Sequence, residues 1–211
     1  MSLGVWVSIA LGFLLVVLRL FRELWNSQKY VCPFPQSSSI ETLVVLGSGG
    51  HTSEMFKLLS ALDSSSCFRS RIYAIAETDE NSLERLKGVD PSGTIFRIPR
   101  SRSVAQSYAS SVLSTLVAFK ASFRLLLRVR PELLLVNGPG TCLPLCLVGW
   151  IYKKIGFLSP RTKIVFVESV CRIETLSLTG RLLRPFVDVL LVQWPELAQK
   201  FPGTTYIDRF I

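Results

Sequence analysis

Short, strongly apolar runs recur along the chain, separated by longer segments whose apolar residues fall at helical spacing. The runs are Leu43–Gly47, Arg71–Glu77, Thr94–Ile98, Glu132–Asn137, Lys163–Glu168 and Asp188–Gln193. Several have near-continuous apolar centres (LVVL, LLLV, IVFV and VLLV), the pattern of parallel strands covered on both faces. Helical patterns occupy 51–62, 80–88, 103–129, 142–154 and 176–185. Regular alternation of the two predicts βαβ units, and hence an α/β domain built on a doubly wound, mostly parallel sheet. No internal repeat and no low-complexity tract interrupts it.

The first residues follow a different pattern. Leu3 to Leu18 read LGVWVSIALGFLLVVL without a charge, close to the shortest stretch that crosses a bilayer. Arg19, Arg22 and Lys29 follow and no charged side chain precedes, so the chain after the segment is expected on the cytosolic side. A cleavable signal would carry its basic residues before the apolar core and small residues after it. Here Phe21, Leu24 and Trp25 fill the cleavage region. The expected organisation is a transmembrane anchor over 1–25, a linker over 26–42 that contains the Pro/Ser stretch CPFPQSSSI, and one folded domain over 43–211.

Composition narrows the class. Of 211 residues, 49% are hydrophobic, which excludes a disordered chain, and about 170 residues after the anchor suffice for one core but not for two Rossmann-type domains. The formal charge of +9 favours anionic partners. The basic residues sit beside apolar runs rather than in a Lys/Arg block with aromatics, favouring a membrane surface and no nucleic acid. Lys120, Arg124 and Arg128 recur every four residues in the 103–129 helix and share a face. Leu113, Leu116, Val117, Phe123 and Leu127 fall largely elsewhere; the stripe reads as a headgroup contact or as the solvated side of a core helix. The five cysteines (Cys32, Cys67, Cys142, Cys146, Cys171) form no C-x-x-C and meet a single histidine, so buried free thiols are expected rather than zinc ligands.

Ligands of such sheets lie beyond the carboxyl ends of the strands. The first candidate is Gly47-Ser48-Gly49-Gly50-His51-Thr52, a glycine turn running into a helix. Bare amides and the positive helix end suit a phosphate or diphosphate; a tight βα turn without a ligand is the plainer reading. The loop is not a Walker motif, because no Gly-Lys-Ser/Thr follows. It is a partial dinucleotide fingerprint: Gly47-x-Gly49 fits, the last glycine is missing, and Glu77 is available for a ribose, so a nicotinamide- or nucleotide-dependent enzyme stays open. The second candidate is Asn137-Gly138-Pro139-Gly140-Thr141, with Thr141 an alternative helix cap. His51, the lone histidine, is structural, a base for a hydroxyl proton or a hydrogen-bond partner for a phosphate. Glu168 ends a buried strand; it is a candidate base, or the ion-pair partner of Arg172, itself otherwise a cation for an anionic ligand.

The segments LVVLGSGGHTSEM, LLLVNGPGTCLP, FVESVCRIETLSLTGRLL and DVLLVQWPEL, in this order, closely resemble the asparagine-linked glycosylation 14 family from about residue 43 to the end. The resemblance implies the N-terminal, Rossmann-like half of a GT-B fold, similar to that half of MurG. It implies the membrane subunit of an inverting N-acetylglucosaminyltransferase that adds a β1,4-linked GlcNAc to GlcNAc-diphosphodolichol at the cytosolic face of the endoplasmic reticulum. A soluble UDP-GlcNAc-binding partner of the asparagine-linked glycosylation 13 type would complete it, and the chain alone would be inactive. Gly47, Ser48, Gly49, Gly50, His51 and Thr52 resemble the first glycine loop of MurG-like enzymes, although Ser48 stands where many have Thr. Asn137, Gly138, Gly140 and Thr141 resemble an acceptor-side loop, and Glu168 resembles the acid of the fifth-strand motif. The base is left between His51 and Glu168, with no cofactor and no metal expected. A non-catalytic scaffold that only recruits its partner is the alternative.

Overall fold

The computed structural model describes residues 39–63, 66–68, 70–101, 108–138 and 141–208. The expected anchor over 1–25, most of the linker, Pro139, Gly140 and the last three residues lie outside the described residues. The described elements are β1 (Thr42–Leu46), α1 (Gly50–Leu62), β2 (Arg71–Ala76), α2 (Glu80–Val89), β3 (Thr94–Ile98), α3 (Tyr108–Val129), β4 (Leu133–Asn137), α4 (Cys142–Ile155), β5 (Lys163–Val167), α5 (Leu178–Leu183), β6 (Val189–Val192), α6 (Pro195–Lys200) and β7 (Thr205–Tyr206). All the described residues belong to one unit of tertiary contacts, Pro35–Ile211.

The seven strands form a single sheet in the order β3-β2-β1-β4-β5-β6-β7, and every pairing is parallel. The apolar runs explain why. Alternate residues of a strand point to opposite faces, so a strand buried on both sides must be apolar throughout. Leu43 and Val45 of β1 and Leu134 and Val136 of β4 enter the core beneath α3 and α4, with Leu125, Leu126, Leu145 and Val148. Val44 and Leu46 of β1 and Leu133 and Leu135 of β4 enter the opposite core, with Met55, Leu58 and Leu59 of α1 and Leu83 and Leu86 of α2. The doubly wound sheet expected from the hydrophobic pattern is therefore present, each of its six expected strands within about a residue of its place.

Local chemistry sets the helix ends. Asp79 caps α2 by accepting from Ser82 N, and Ser177 caps α5 by accepting from Gly180 N. Gly156, at φ 86°, closes α4 in the left-handed conformation that glycine tolerates. Gly149 lets α4 sit close on the sheet: a Cβ there would lie 3.3 Å from Leu134 Cδ2 and 3.4 Å from Ile164 Cδ1.

Three expectations change. The sequence pattern missed α6 and β7, both too short to show a period. Leu116 (61% exposed), Val117 (49%) and Leu127 (40%) lie on the exposed side of α3 together with Lys120, Arg124 and Arg128, rather than mainly apart from them. Among the cysteines, Cys142 and Cys146 are buried free thiols, but Cys171 is exposed and Cys67 half-buried. Burial pushes the Cys142 thiol up to about 12, so it stays protonated. Among the described residues, no helix is long and apolar enough to cross a membrane.

Gly149→Val is expected to overpack the α4–sheet contact and destabilise the fold by about 1–3 kcal/mol. A lowered urea midpoint with an unchanged slope would register it.

Candidate functional site

Strand order reverses between β1 and β4: β2 and β3 lie to one side of β1, and β5 to β7 lie beyond β4. At such a switch point the loops leaving the two strands part and open a crevice at their carboxyl ends. The loops here are the two glycine segments, and they touch. Gly47 is buried, and a Cβ on it would sit 2.6 Å from the Asn137 carbonyl oxygen and 2.8 Å from His51 Cβ. Gly138 has φ 107°, and a Cβ there would be 3.1 Å from His51 Cγ. Only glycine at both positions lets the imidazole lie across the junction. His51, the second residue of α1, places Nδ1 2.7 Å from Asn137 Oδ1. Gly49 turns the chain at φ 64°, and with Gly50 it is exposed at the opening of α1.

Asn137 is 1% exposed and also donates from Nδ2 to Glu54 Oε2 at 2.9 Å. Glu54 Oε1 accepts from Ser169 Oγ at 2.7 Å. Thus one carboxylate on α1 ties together the loops that leave β4 and β5. Sequence reasoning missed Glu54. Its signal was an acid three residues after the histidine, on the same side of a helix that opens at a glycine loop.

Thr52 does not reach the crevice. It is fully buried, donates from Oγ1 to the Gly47 carbonyl oxygen and lies 2.6 Å from Ser82 Oγ. Its hydroxyl closes the glycine turn rather than facing a ligand. Ser48 is half-buried and accepts a hydrogen bond from Nη2 of Arg100, which follows β3. Arg100 Nη2 also lies 3.9 Å from Asp79 Oδ2. Arg100 therefore brings a cation to the first glycine loop, which sequence reasoning did not foresee because 52 residues separate Arg100 from Ser48. Burial would raise the Asp79 carboxyl, but hydrogen bonding to Ser82 and Ser48 and the Arg100 charge outweigh it and hold it below its usual range.

Glu168 is 2% exposed, and its carboxylate is engaged. Oε1 accepts from Ser169 N at 3.2 Å; Oε2 accepts from Ser177 N at 2.9 Å and Ser177 Oγ at 3.0 Å. It braces the loop between β5 and α5, and Gly180 packs so closely that a Cβ would be 2.4 Å from Oε2. The Glu168–Arg172 ion pair, one of the two readings of Glu168, is not formed: Arg172 is exposed, and backbone and hydroxyl donors take the carboxylate. Thr141 is buried at the N-cap of α4, but its side chain makes no capping hydrogen bond. Gly140 lies outside the described residues.

An open parallel sheet with two apposed glycine loops at its switch point defines a Rossmann-type domain. The solved structures it resembles are about twice as long. They include MurG of Acinetobacter baumannii (TM-score 0.56, 15% identity, 79% of this chain and 43% of that one). Another is the UDP-GlcNAc 2-epimerase of Neisseria meningitidis, solved bound to UDP-GlcNAc (TM-score 0.55, 13% identity, 79% of this chain and 45% of that one). The chain thus spans less than half of either. The model of the family described as "Oligosaccharide biosynthesis protein Alg14 like" matches residues 42–210. The human relative, "UDP-N-acetylglucosamine transferase subunit ALG14", is 43% identical over 82% of this chain and 84% of its own length. The Schizosaccharomyces pombe protein of the same description is 38% identical over 98% of both chains. The chain belongs to the Alg14 family.

Acid is expected to unfasten the Asp79 contacts. A lowered folded-state pKa stabilises the fold above the ordinary value of 3.8, and this is lost as pH falls through the folded value. Asp79→Ala should cost about 1 kcal/mol at neutral pH as a lost cap, and denaturation of the two proteins should converge as acid protonates Asp79.

Proposed function

We propose that this chain is the acceptor-side, membrane-bound subunit of a UDP-N-acetylglucosamine transferase. The lipid-linked acceptor, GlcNAc-diphosphodolichol, lies over the two glycine loops, and a separate soluble chain of the asparagine-linked glycosylation 13 type delivers UDP-GlcNAc. The observation that carries this reading is His51 lying across the switch point, in a chain that matches less than half of a longer structural neighbour and whose relatives are described as transferase subunits. Family membership sets aside the nicotinamide-enzyme reading of the first loop.

The chemistry follows from the groups present. The acceptor O4–H attacks C1 of the donor sugar, the O4–C1 bond forms as the C1–O bond to UDP breaks, and the hydroxyl proton passes to His51. A base of this kind contributes roughly 10²–10⁴-fold. The exposed amides at Gly49 and Gly50, the opening of α1 and the Arg100 guanidinium suit the acceptor diphosphate. Glu168 acts by bracing the β5–α5 loop, since neither carboxylate oxygen is free of hydrogen bonds. UDP leaves against groups of the partner, so the chain alone transfers nothing. The N-terminal segment spans the endoplasmic reticulum membrane with the domain on the cytosolic side. The mixed apolar and basic side of α3 rests on the headgroups.

Transfer from UDP-GlcNAc to a GlcNAc-diphospholipid by the chain co-expressed with its partner tests the reading. His51→Ala should lower kcat by about 10² or more with the partner still bound. Unchanged transfer would leave only the scaffold role. Separately, replacing Lys120, Arg124 and Arg128 with Gln should weaken binding of anchor-deleted protein to anionic liposomes, most clearly at low salt.

A further inference from the structure

We infer that Glu54 is a positioning residue that, acting through Asn137, fixes the tautomer of His51 and leaves Nε2 as its proton-accepting nitrogen. The inference deepens, and rests on, the reading of His51 as the base.

Three hydrogen bonds link these groups, and chemistry dictates their directions. A carboxylate only accepts. Both oxygens of Glu54 are engaged, Oε1 by Ser169 Oγ at 2.7 Å and Oε2 by the Asn137 side chain at 2.9 Å. Asn137 must therefore turn its NH2 group to Glu54, and its amide oxygen faces the other way. That oxygen also only accepts, and it lies 2.7 Å from His51 Nδ1. Nδ1 must carry the proton. A neutral imidazole has one N–H, so the lone pair is on Nε2. When Nε2 takes a proton, Nδ1–H keeps donating to Asn137, and the relay needs no rearrangement.

The relay cannot easily slip. Asn137 is buried between the two loops, so its amide has no water with which to exchange partners. Ser169 is committed as well: its hydroxyl donates to Glu54 while its oxygen accepts from Cys171 N at 3.3 Å. Bonds to the charged carboxylate are roughly twice as strong as those between neutral groups. Exchanging Glu54 for Gln removes this polarity without changing shape. A Gln amide both donates and accepts, so Asn137 can turn over, present NH2 to His51 and move the imidazole proton to Nε2.

His51 is the only histidine among 211 residues, so 15N-histidine labelling of the full chain, with a tag other than oligohistidine, yields one imidazole spectrum. With unlabelled partner in nanodiscs, the neutral imidazole of the wild type should show a protonated Nδ1 and a bare Nε2. Glu54→Gln should mix or reverse the tautomers and lower kcat by at least roughly tenfold, with KM for a GlcNAc-diphospholipid changed less than about twofold. The double exchange E54Q/N137D reinstates the direction: the new amide on α1 donates to the new carboxylate at the end of β4, whose other oxygen accepts from Nδ1–H. It should restore both the Nδ1–H signal and most of kcat, a rescue that a packing role does not provide. A protonated Nε2 in the wild type, a Glu54→Gln spectrum and kcat like the wild type's, or a folded double variant as slow as the single would each overturn the relay. His51→Gln separates the two ideas. Full transfer in that variant removes the base reading, while the wild-type spectrum still decides the relay. An inactive variant beside a protonated Nε2 removes the relay alone.

Discussion

Two backbones meet at Gly47 and Gly138, and the candidate site depends on that approach. Parallel pairing of β1 with β4 brings the two strand ends side by side, and side chains there would ordinarily hold the following loops apart. Without Cβ atoms the loops close to contact, and the imidazole of His51 fills the remaining space. A methyl group at Gly47 would collide with main chain, which cannot swing aside as the tip of a side chain can. The glycines are thus needed for the width of the crevice floor at least as much as for the sharpness of the turns.

Polar groups then bind the floor into one piece. Glu54, Asn137 and His51 join α1 to the carboxyl end of β4, Ser169 extends the chain of bonds to the loop after β5, and Glu168 continues it to the start of α5. The two acids of this network differ in setting. Glu168 is almost wholly buried and satisfied largely by main-chain N–H groups and a capping serine, which makes it a brace. Glu54 is half-buried and polarises an amide that touches the imidazole. Buried polar networks are worth keeping only when every member is satisfied, because a lone unpaired group costs more than the bond returns.

The strands could be read from the chain because burial on both faces forces apolar runs, and a run such as LLLV suits little besides a covered strand. The positions of the two loops followed from the same runs, since ligands gather where such strands end. Partnerships were much less legible. Glu168 and Arg172 look like a pair at a spacing of four, but that spacing brings side chains together only on a helix, and here a loop intervenes. Thr52 looks like a ligand group because it follows the glycines, yet the helix turns it inward. Arg100, and the partners that Glu54 finds in Asn137 and Ser169, meet at the site through the strand order, which brings together residues dozens of positions apart. No local pattern carries that information. The basic stripe of α3 was visible at its period of four, whereas the exposure of Leu116, Val117 and Leu127 beside it depended on how much of the helix α4 covers.

A half-cleft has consequences for chemistry that a complete cleft does not. On the proposed reading, the base and the acceptor's diphosphate contacts belong to one polypeptide and the groups that stabilise departing UDP to another. Neither half can then lower the barrier alone, because proton removal without leaving-group stabilisation makes an alkoxide with nowhere to go. A tautomer fixed within the first half has a particular use in such an arrangement. The base is correctly protonated before the partner docks, so docking has only to align two preformed surfaces. Much of the advantage of holding reactants together, up to roughly 7–11 kcal/mol, then comes from their encounter in a fixed geometry. The rigidity of the Glu54–Asn137–His51 relay is what would keep that geometry when the two halves separate and meet again.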